Sequence, residues 1–303
     1  MNRVSERPMH CLSFDVEEHF QVSAFWSEAR RQQWDHYESR VESNTRKLAE
    51  MLAQHGTKAT FFVLGWVAER YPSMVKALAS QGHEIASHGY GHELVTTQSP
   101  ESFRHDVRLA KHILEDLTGT SVNGYRAPSF SITVESQWAL SILIEEGYSY
   151  DSSMYDRFHR YGNCKRYDGC FEIKTPAGRI WEIAPSTLNI LGYRIPVAGG
   201  GYFRLFPYAA SKAFLKRLEG QGTTFVMYLH PWEIDPCQPR MEGPLVSQFR
   251  HYLNLHKTEK RLTALLEDFQ FGSIAEVLGS VWCTEHKKSA MADLIQSGGS
   301  RVC

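Results

Sequence analysis

Two histidines four residues apart in SHGYGH, His88 and His92, can turn their imidazoles toward one metal ion. A chain with 14 histidines offers such spacings readily, so the pair gains weight only from its company. HCLSFDVEEHF (10–20) supplies it: an apolar stretch runs straight into Asp15, Glu17, Glu18 and His19. Carboxylates are rarely buried unless they are paired or bound to metal. Two neutral imidazoles and one carboxylate form a metal site with an open position for water or substrate. The ion would in turn compensate one of the acids. Arg126 in YRAPSF, Asp151 in YSYDSS and His230 in TFVMYLHPWE recur in the same way, each where a strand would end. Singly they read as a loop cation, a turn cap and a satisfied core histidine. Their shared placement argues for one site.

The elements that must carry these residues alternate. Strand candidates are LSFDV (12–16), TKATFFVLG (57–65), HEIAS (83–87), YSYDSS (148–153), RIWEIAPST (179–187), TTFVMYLH (223–230) and a short FGSI (271–274). Helix candidates fall at 41–54, 72–82, 99–119, 133–147, 207–219 and 245–268. The helix at 99–119 has Ser99 to cap it, Pro100 in its first turn and Phe103, Val107, Ala110, Leu114 and Leu117 as one stripe. Alternating βα units with apolar strands predict an α/β fold, a parallel sheet with helices outside. The number of units suits a closed or nearly closed barrel, and an open doubly wound sheet is the alternative. In either, function gathers where strands end. One domain is expected over 10–282, after a flexible N-terminus (1–9) and before a frayed polar tail (283–303).

Composition narrows the class. At 303 residues, 42% hydrophobic and 22% charged, the chain has ordinary globular material. A formal net charge of -1 gives no general attraction to nucleic acid or to an anionic membrane. The longest nearly apolar stretch, ATFFVLGWVA (59–68), is too short to span a bilayer. The N-terminal residues contain no apolar signal core, so residence in the cytoplasm, close to the inner membrane, is expected. Six scattered cysteines without a CxxC pair read as free thiols.

In order and spacing, SFDVE, SHGYGH, RAPS, YDSS and YLH resemble the five motifs of polysaccharide deacetylases with a NodB-homology domain, carbohydrate esterase family 4, over about residues 10–230. YLHPWEIDPCQPRM and FRHYLNLHKTEKRLTALLEDF further resemble the C-terminal extension, from about 231, of a subgroup associated with exopolysaccharide and exosortase gene clusters. The resemblance implies a deformed (β/α) barrel of about seven parallel strands. It implies a divalent ion, most often Zn2+, on His88, His92 and one acid of the first motif. The ion would polarise an acetamide carbonyl and lower the pKa of bound water. Asp15 would be the base, oriented by Arg126, and His230 the acid, tuned by Asp151. A backbone N–H near Ser129 would help hold the oxyanion. The implied partner is an N-acetylated polysaccharide or oligosaccharide.

Two departures stand out. Val16 follows Asp15 where the family has adjacent aspartates, so the metal acid is Glu17 or Glu18; and RAPS replaces RxPY. Side chains alternate along a strand, which puts Asp15 and Glu17 on one face and favours Glu17 as the ligand. GGGYFR (199–204) lacks phosphate-loop spacing and reads as a mobile loop beside a sugar groove; Trp181, Tyr202 and Trp232 are candidates for stacking on sugar rings, and Glu182 for lining the cleft. The competing functions are an inactive sugar-binding protein on the same fold and a non-haem iron oxygenase, which shares the two-histidine, one-carboxylate set.

Overall fold

The computed structural model describes residues 8–25, 27–154 and 169–279. Its strands are β1 (Met9–Val16), β2 (Thr60–Val63), β3 (Glu84–Ser87), β4 (Gly124–Tyr125), β5 (Tyr150–Asp151), β6 (Cys170–Thr175), β7 (Gly178–Ile183), β8 (Thr187–Ile190), β9 (Tyr193–Pro196), β10 (Val226–Leu229) and β11 (Gln270–Gly272). The main sheet runs β10-β1-β2-β3-β4-β5-β7-β6, and β11 pairs with the start of β1. Every pairing from β10 to β7 is parallel, and β6 returns antiparallel to β7. Seven strands in parallel succession form the deformed barrel, with helices in the connections from β1 to β5 and from β7 to β10. Its remaining gap is partly bridged by irregular chain: Tyr228 donates its amide to Ala198 O, and Val226 to Ser186 Oγ.

Alternation along β1 divides the molecule. Leu12, Phe14 and Val16 enter the large core beneath the helices, where Phe14 stacks on Phe61. Cys11 enters a separate cluster with Phe62, Tyr150 and Val226, and Ser13 and Asp15 share its face. The N-terminal end of the barrel is plugged by the chain after β11. Ile274 donates to Thr60 Oγ1 and Ala275 to Glu84 Oε2, so the half-buried Glu84 caps a helical turn that carries Val277 and Leu278 into the inner cluster.

Most helices follow the sequence pattern. Val41–Gln54 has the expected limits, and Pro100–Thr118 is capped by Ser99 Oγ and ends at Gly119 with φ 67°. The expected helix at 245–268 is instead two, Leu245–Tyr252 and Leu255–Asp268. The break is at Asn254, which takes the left-handed conformation and donates its Nδ2 to Arg204 O. FGSI is strand only to Gly272. Met9, assigned to a flexible N-terminus, pairs with Gln270. The tail 283–303 lies outside the described residues, as do Cys164, Cys283 and Cys303; Cys11 and Cys237 are free.

Candidate active site

The C-terminal ends of β1, β3 and β10 deliver Asp15, Glu17, His88 and His230 to one pocket of about 280 Å3, and the loop after β4 adds Ser129 to its wall. Arg126, just past β4, is fully buried. It donates Nη1 to Asp15 Oδ1 at 2.7 Å and to Ser13 Oγ at 2.9 Å, Nη2 to Ser152 Oγ at 2.8 Å, and Nε to Ser152 O at 3.2 Å. Its guanidinium also lies 4.1 Å from the centroid of the Phe62 ring. A buried ion pair with this many satisfied donors is fixed in geometry, and removing either partner leaves an uncompensated charge.

Glu17 follows the strand end, where its amide donates back to Asp15 O. It therefore shares the pocket with Asp15 through a turn rather than by strand alternation. Its Oε2 is 2.5 Å from His92 Nε2 and 3.7 Å from His88 Nε2. Burial opposes its charge, but His92, His230 and the hydrogen bonds from His88 and His92 hold the carboxyl well below the usual range. Glu18 points elsewhere: Ser39 Oγ and the Arg40 amide donate to it, so it satisfies the N-terminus of the helix Val41–Gln54.

The SHGYGH turn is held from behind. Asp106, on the inward stripe of Pro100–Thr118, accepts from the amides of Tyr90 and Gly91. Gly89 has φ 76°, and a Cβ there would meet Asp106 Oδ2 at 2.6 Å, so glycine is required. His88 Nδ1 lies 2.8 Å from Arg126 O, an arrangement that leaves Nε2 facing Glu17. One ligand atom from each of Glu17, His88 and His92 falls within 4.8 Å of the others, and all three residues are buried. The donor set fits a divalent ion.

His230, at the end of β10, is 3.8 Å through Nε2 from both Asp15 Oδ2 and Glu17 Oε1. Asp151 was expected to tune it, but Asp151 is drawn into a different network. It pairs in register with Glu182 of β7 and accepts from Ser153 Oγ, which in turn accepts from the Ala127 amide. Asp151 thereby braces the loop that carries Arg126, and burial pushes its carboxyl up to about 6. Glu182 is fully buried and accepts from the Met154 amide rather than lining the cleft. The partner of His230 is Glu233, whose Oε1 accepts from Nδ1 at 2.7 Å and whose Oε2 accepts from Arg204 Nε at 2.6 Å. Burial works against charge on His230, yet Glu17, Glu233 and Asp15 push its pKa up to about 9.

GGGYFR proves to be helix N-terminus rather than mobile loop: Gly200–Leu205 is helical with Gly199 as its cap. A Cβ at Gly200 would lie 1.9 Å from Glu233 Oε1, so the glycine admits the carboxylate and Arg204, one turn on, neutralises it. Trp232 is no sugar platform, being only 5% exposed. His230 and His251 both stack on its indole, and its Nε1 donates to Glu17 Oε1 at 3.2 Å. It orients the candidate ligand. Trp181 packs on the inner cluster. Ser129 does reach the pocket wall, in a left-handed turn with φ 52°. Asp106, Arg204 and Glu233 were not singled out from sequence; Asp106 carried a signal, an acid within an apolar helix stripe.

A two-histidine, one-carboxylate centre at the mouth of a (β/α) barrel is the class that fold and site define. Residues 33–144 match the polysaccharide deacetylase family model, and residues 152–279 match DUF3473, a domain of unknown function. A peptidoglycan-N-acetylglucosamine deacetylase of Bacillus cereus is 37% identical over 97 residues, 31% of this chain and 35% of the relative. A chitooligosaccharide deacetylase of Azorhizobium caulinodans is 32% identical over 87 residues, 28% of this chain and 41% of the relative. The matched stretch thus spans well under half of these proteins. A crystal structure from Mycobacterium smegmatis, provisionally named a polysaccharide deacetylase, superposes with a TM-score of 0.60 at 20% identity, covering 93% of this chain and 94% of that one. The chain therefore carries a polysaccharide deacetylase domain over residues 33–144, followed by DUF3473 over residues 152–279.

The two acids of the first motif should separate cleanly. Glu17→Ala is expected to fail to retain an added divalent ion through dialysis. Glu18→Ala should keep it but unfold more easily by about 0.5–2 kcal/mol, the cost of losing the side chain that caps a helix N-terminus. Metal retention by Glu17→Ala would overturn the ligand assignment. For the histidine, NMR titration of chelator-treated protein should show His230 still protonated above neutral pH and losing its proton near 9. Glu233→Gln removes a negative charge from Nδ1 and should lower that value. An unchanged midpoint would show that Glu233 does not support the imidazolium.

Proposed function

We propose that this protein is a metal-dependent N-deacetylase of an amino-sugar-containing bacterial polysaccharide. The observation that carries the reading is the placement of Asp15 and His230, a carboxylate and an imidazole from different strand ends beside one Glu17/His88/His92 centre. A divalent ion held by these three residues, zinc in the first instance, would supply Lewis acidity toward the acetamide carbonyl. Asp15 has one oxygen fixed by Arg126, and Oδ2 remains to take a proton from the attacking water. His230 keeps its Nδ1–H on Glu233 and turns Nε2–H to the pocket, where it protonates the departing amine nitrogen. The Ser129 turn lies on the same wall and offers a backbone N–H to the developing oxyanion. Acetamide and water become acetate and a free amine. The relatives' names point to glycans containing N-acetylglucosamine as the substrates to try first.

Acetate release from N-acetylglucosamine oligomers should be measured with and without chelator. The protein is expected to release acetate, to stop on chelation and to recover on zinc addition. Asp15→Asn and His230→Ala should each lower kcat about a hundredfold or more with metal still bound, the scale of general acid–base catalysis. No release by the metal-loaded protein from any N-acetylated oligosaccharide would leave a binding protein in place of an enzyme, and a requirement for ferrous iron and oxygen would replace hydrolysis by oxygenation.

A further inference from the structure

The helix Leu245–Tyr252 forms one lip of the pocket, which Ser247, Arg250 and His251 line. Its outer side is apolar and open to solvent: Leu245 is 82% exposed, Val246 63% and Phe249 62%. Single exposed hydrophobics are ordinary, but three on one short helix form a patch. The helix is pinned in this orientation. Arg204 Nη1 donates to the carbonyls of Arg250, His251 and Leu253, Gln248 Nε2 donates to Gly243 O, and Tyr252 Oη accepts from the Met241 amide. Rotation to hide the patch would break all of these bonds.

Uncompensated cations surround it. Arg240 lies over the Tyr252 ring, Arg30 donates to the carbonyls of Phe25 and Glu242, and Arg250 stands at the pocket edge. None of the three has an acid partner among the described residues, and Glu242 is the single acid in 236–252. The near-neutral net charge of the chain therefore hides a locally basic rim. Of the three, Phe249 alone offers a flat face to a sugar ring, whereas Leu245 and Val246, the two most exposed, offer none. A second copy would bring three unpaired arginines against three more. Anionic headgroups above acyl chains satisfy both the charge and the apolar side chains.

We propose that this rim docks the protein on an anionic lipid bilayer, with the pocket mouth turned toward the headgroups. Among the described residues no helix is long and apolar enough to cross a membrane, so the contact is peripheral. The docking stands apart from the proposed chemistry and would bring the site to glycans held at a membrane surface.

Co-sedimentation of the full chain with vesicles of phosphatidylcholine plus phosphatidylglycerol, and with phosphatidylcholine alone, tests this. Binding is expected on the anionic vesicles, weaker on the neutral ones, and falling with salt. The triple variant Leu245→Ser, Val246→Ser, Phe249→Ser should lose binding while keeping its circular dichroism, because all three side chains are exposed. Arg240→Gln should weaken binding about fivefold, the share of one arginine near such a surface. Three results would overturn the proposal: no vesicle binding by the unmodified chain, equal binding by the triple variant, or a dimer in solution that the triple variant abolishes. Binding to soluble polygalacturonate that displaces the protein from vesicles would reassign the rim to acidic glycans.

Discussion

Three carboxylates, Asp15, Glu17 and Glu233, are buried around one pocket, and each needs its own cation. Desolvating a carboxylate costs several kcal/mol even after relaxation, so the partners must be close and otherwise satisfied. Asp15 is answered by Arg126, which spends its remaining donors on Ser13 and Ser152. Glu17 faces His88 and His92, and Glu233 lies between His230 and Arg204. These three pairings tie β1, the loops after β3 and β4, the end of β10 and the helix Gly200–Leu205 into one arrangement. Distortion at any of them exposes a charge with nothing opposite it.

The same pairings divide labour between the two halves of the chain. The first half, through residues 88–126, contributes the histidines, Arg126 and the Asp106 brace. The DUF3473 half contributes β10 and, with it, His230, Trp232 and Glu233, and adds Arg204 from the glycine-led helix. Arg204 reaches further, to the carbonyls where Leu245–Tyr252 ends, so the residue that neutralises Glu233 also fixes the pocket lip. The segment of unknown function is therefore structurally inseparable from the site.

What the sequence disclosed follows from periodicity and strand ends. Apolar runs followed by Asp15, His88 and His230 showed both the parallel strands and where their side chains converge, because in a βα fold those ends share one face; the strand before Arg126, only Gly124–Tyr125, is too short to leave a pattern. Short-range reasoning reached less. Glu17 was favoured by alternation, yet it lies in a turn past the strand, and its placement depends on His92 and Trp232 far along the chain. Asp151 sits at a strand end like the others, but register pairs it with Glu182, and only the sheet order reveals that. Glu233 and Arg204 are 29 residues apart, and their contact depends on the helix that Gly199 and Gly200 allow to pack against β10. The break at Asn254 was equally hidden, since its stabilising bond is to a distant carbonyl.

The central claim is that His230, held by Glu233, delivers a proton to the leaving group. Leaving groups differ in their need for that proton: an amine requires it, whereas nitrophenolate departs without it. The decisive measurement compares kcat of the unmodified protein and His230→Ala on an N-acetylglucosamine oligomer and on 4-nitrophenyl acetate, with divalent-metal content matched. A loss of about a hundredfold or more on the amide, with the ester nearly unchanged, is the result expected of general-acid catalysis. Equal losses on both substrates would contradict it and reduce His230 to a structural part of the pocket.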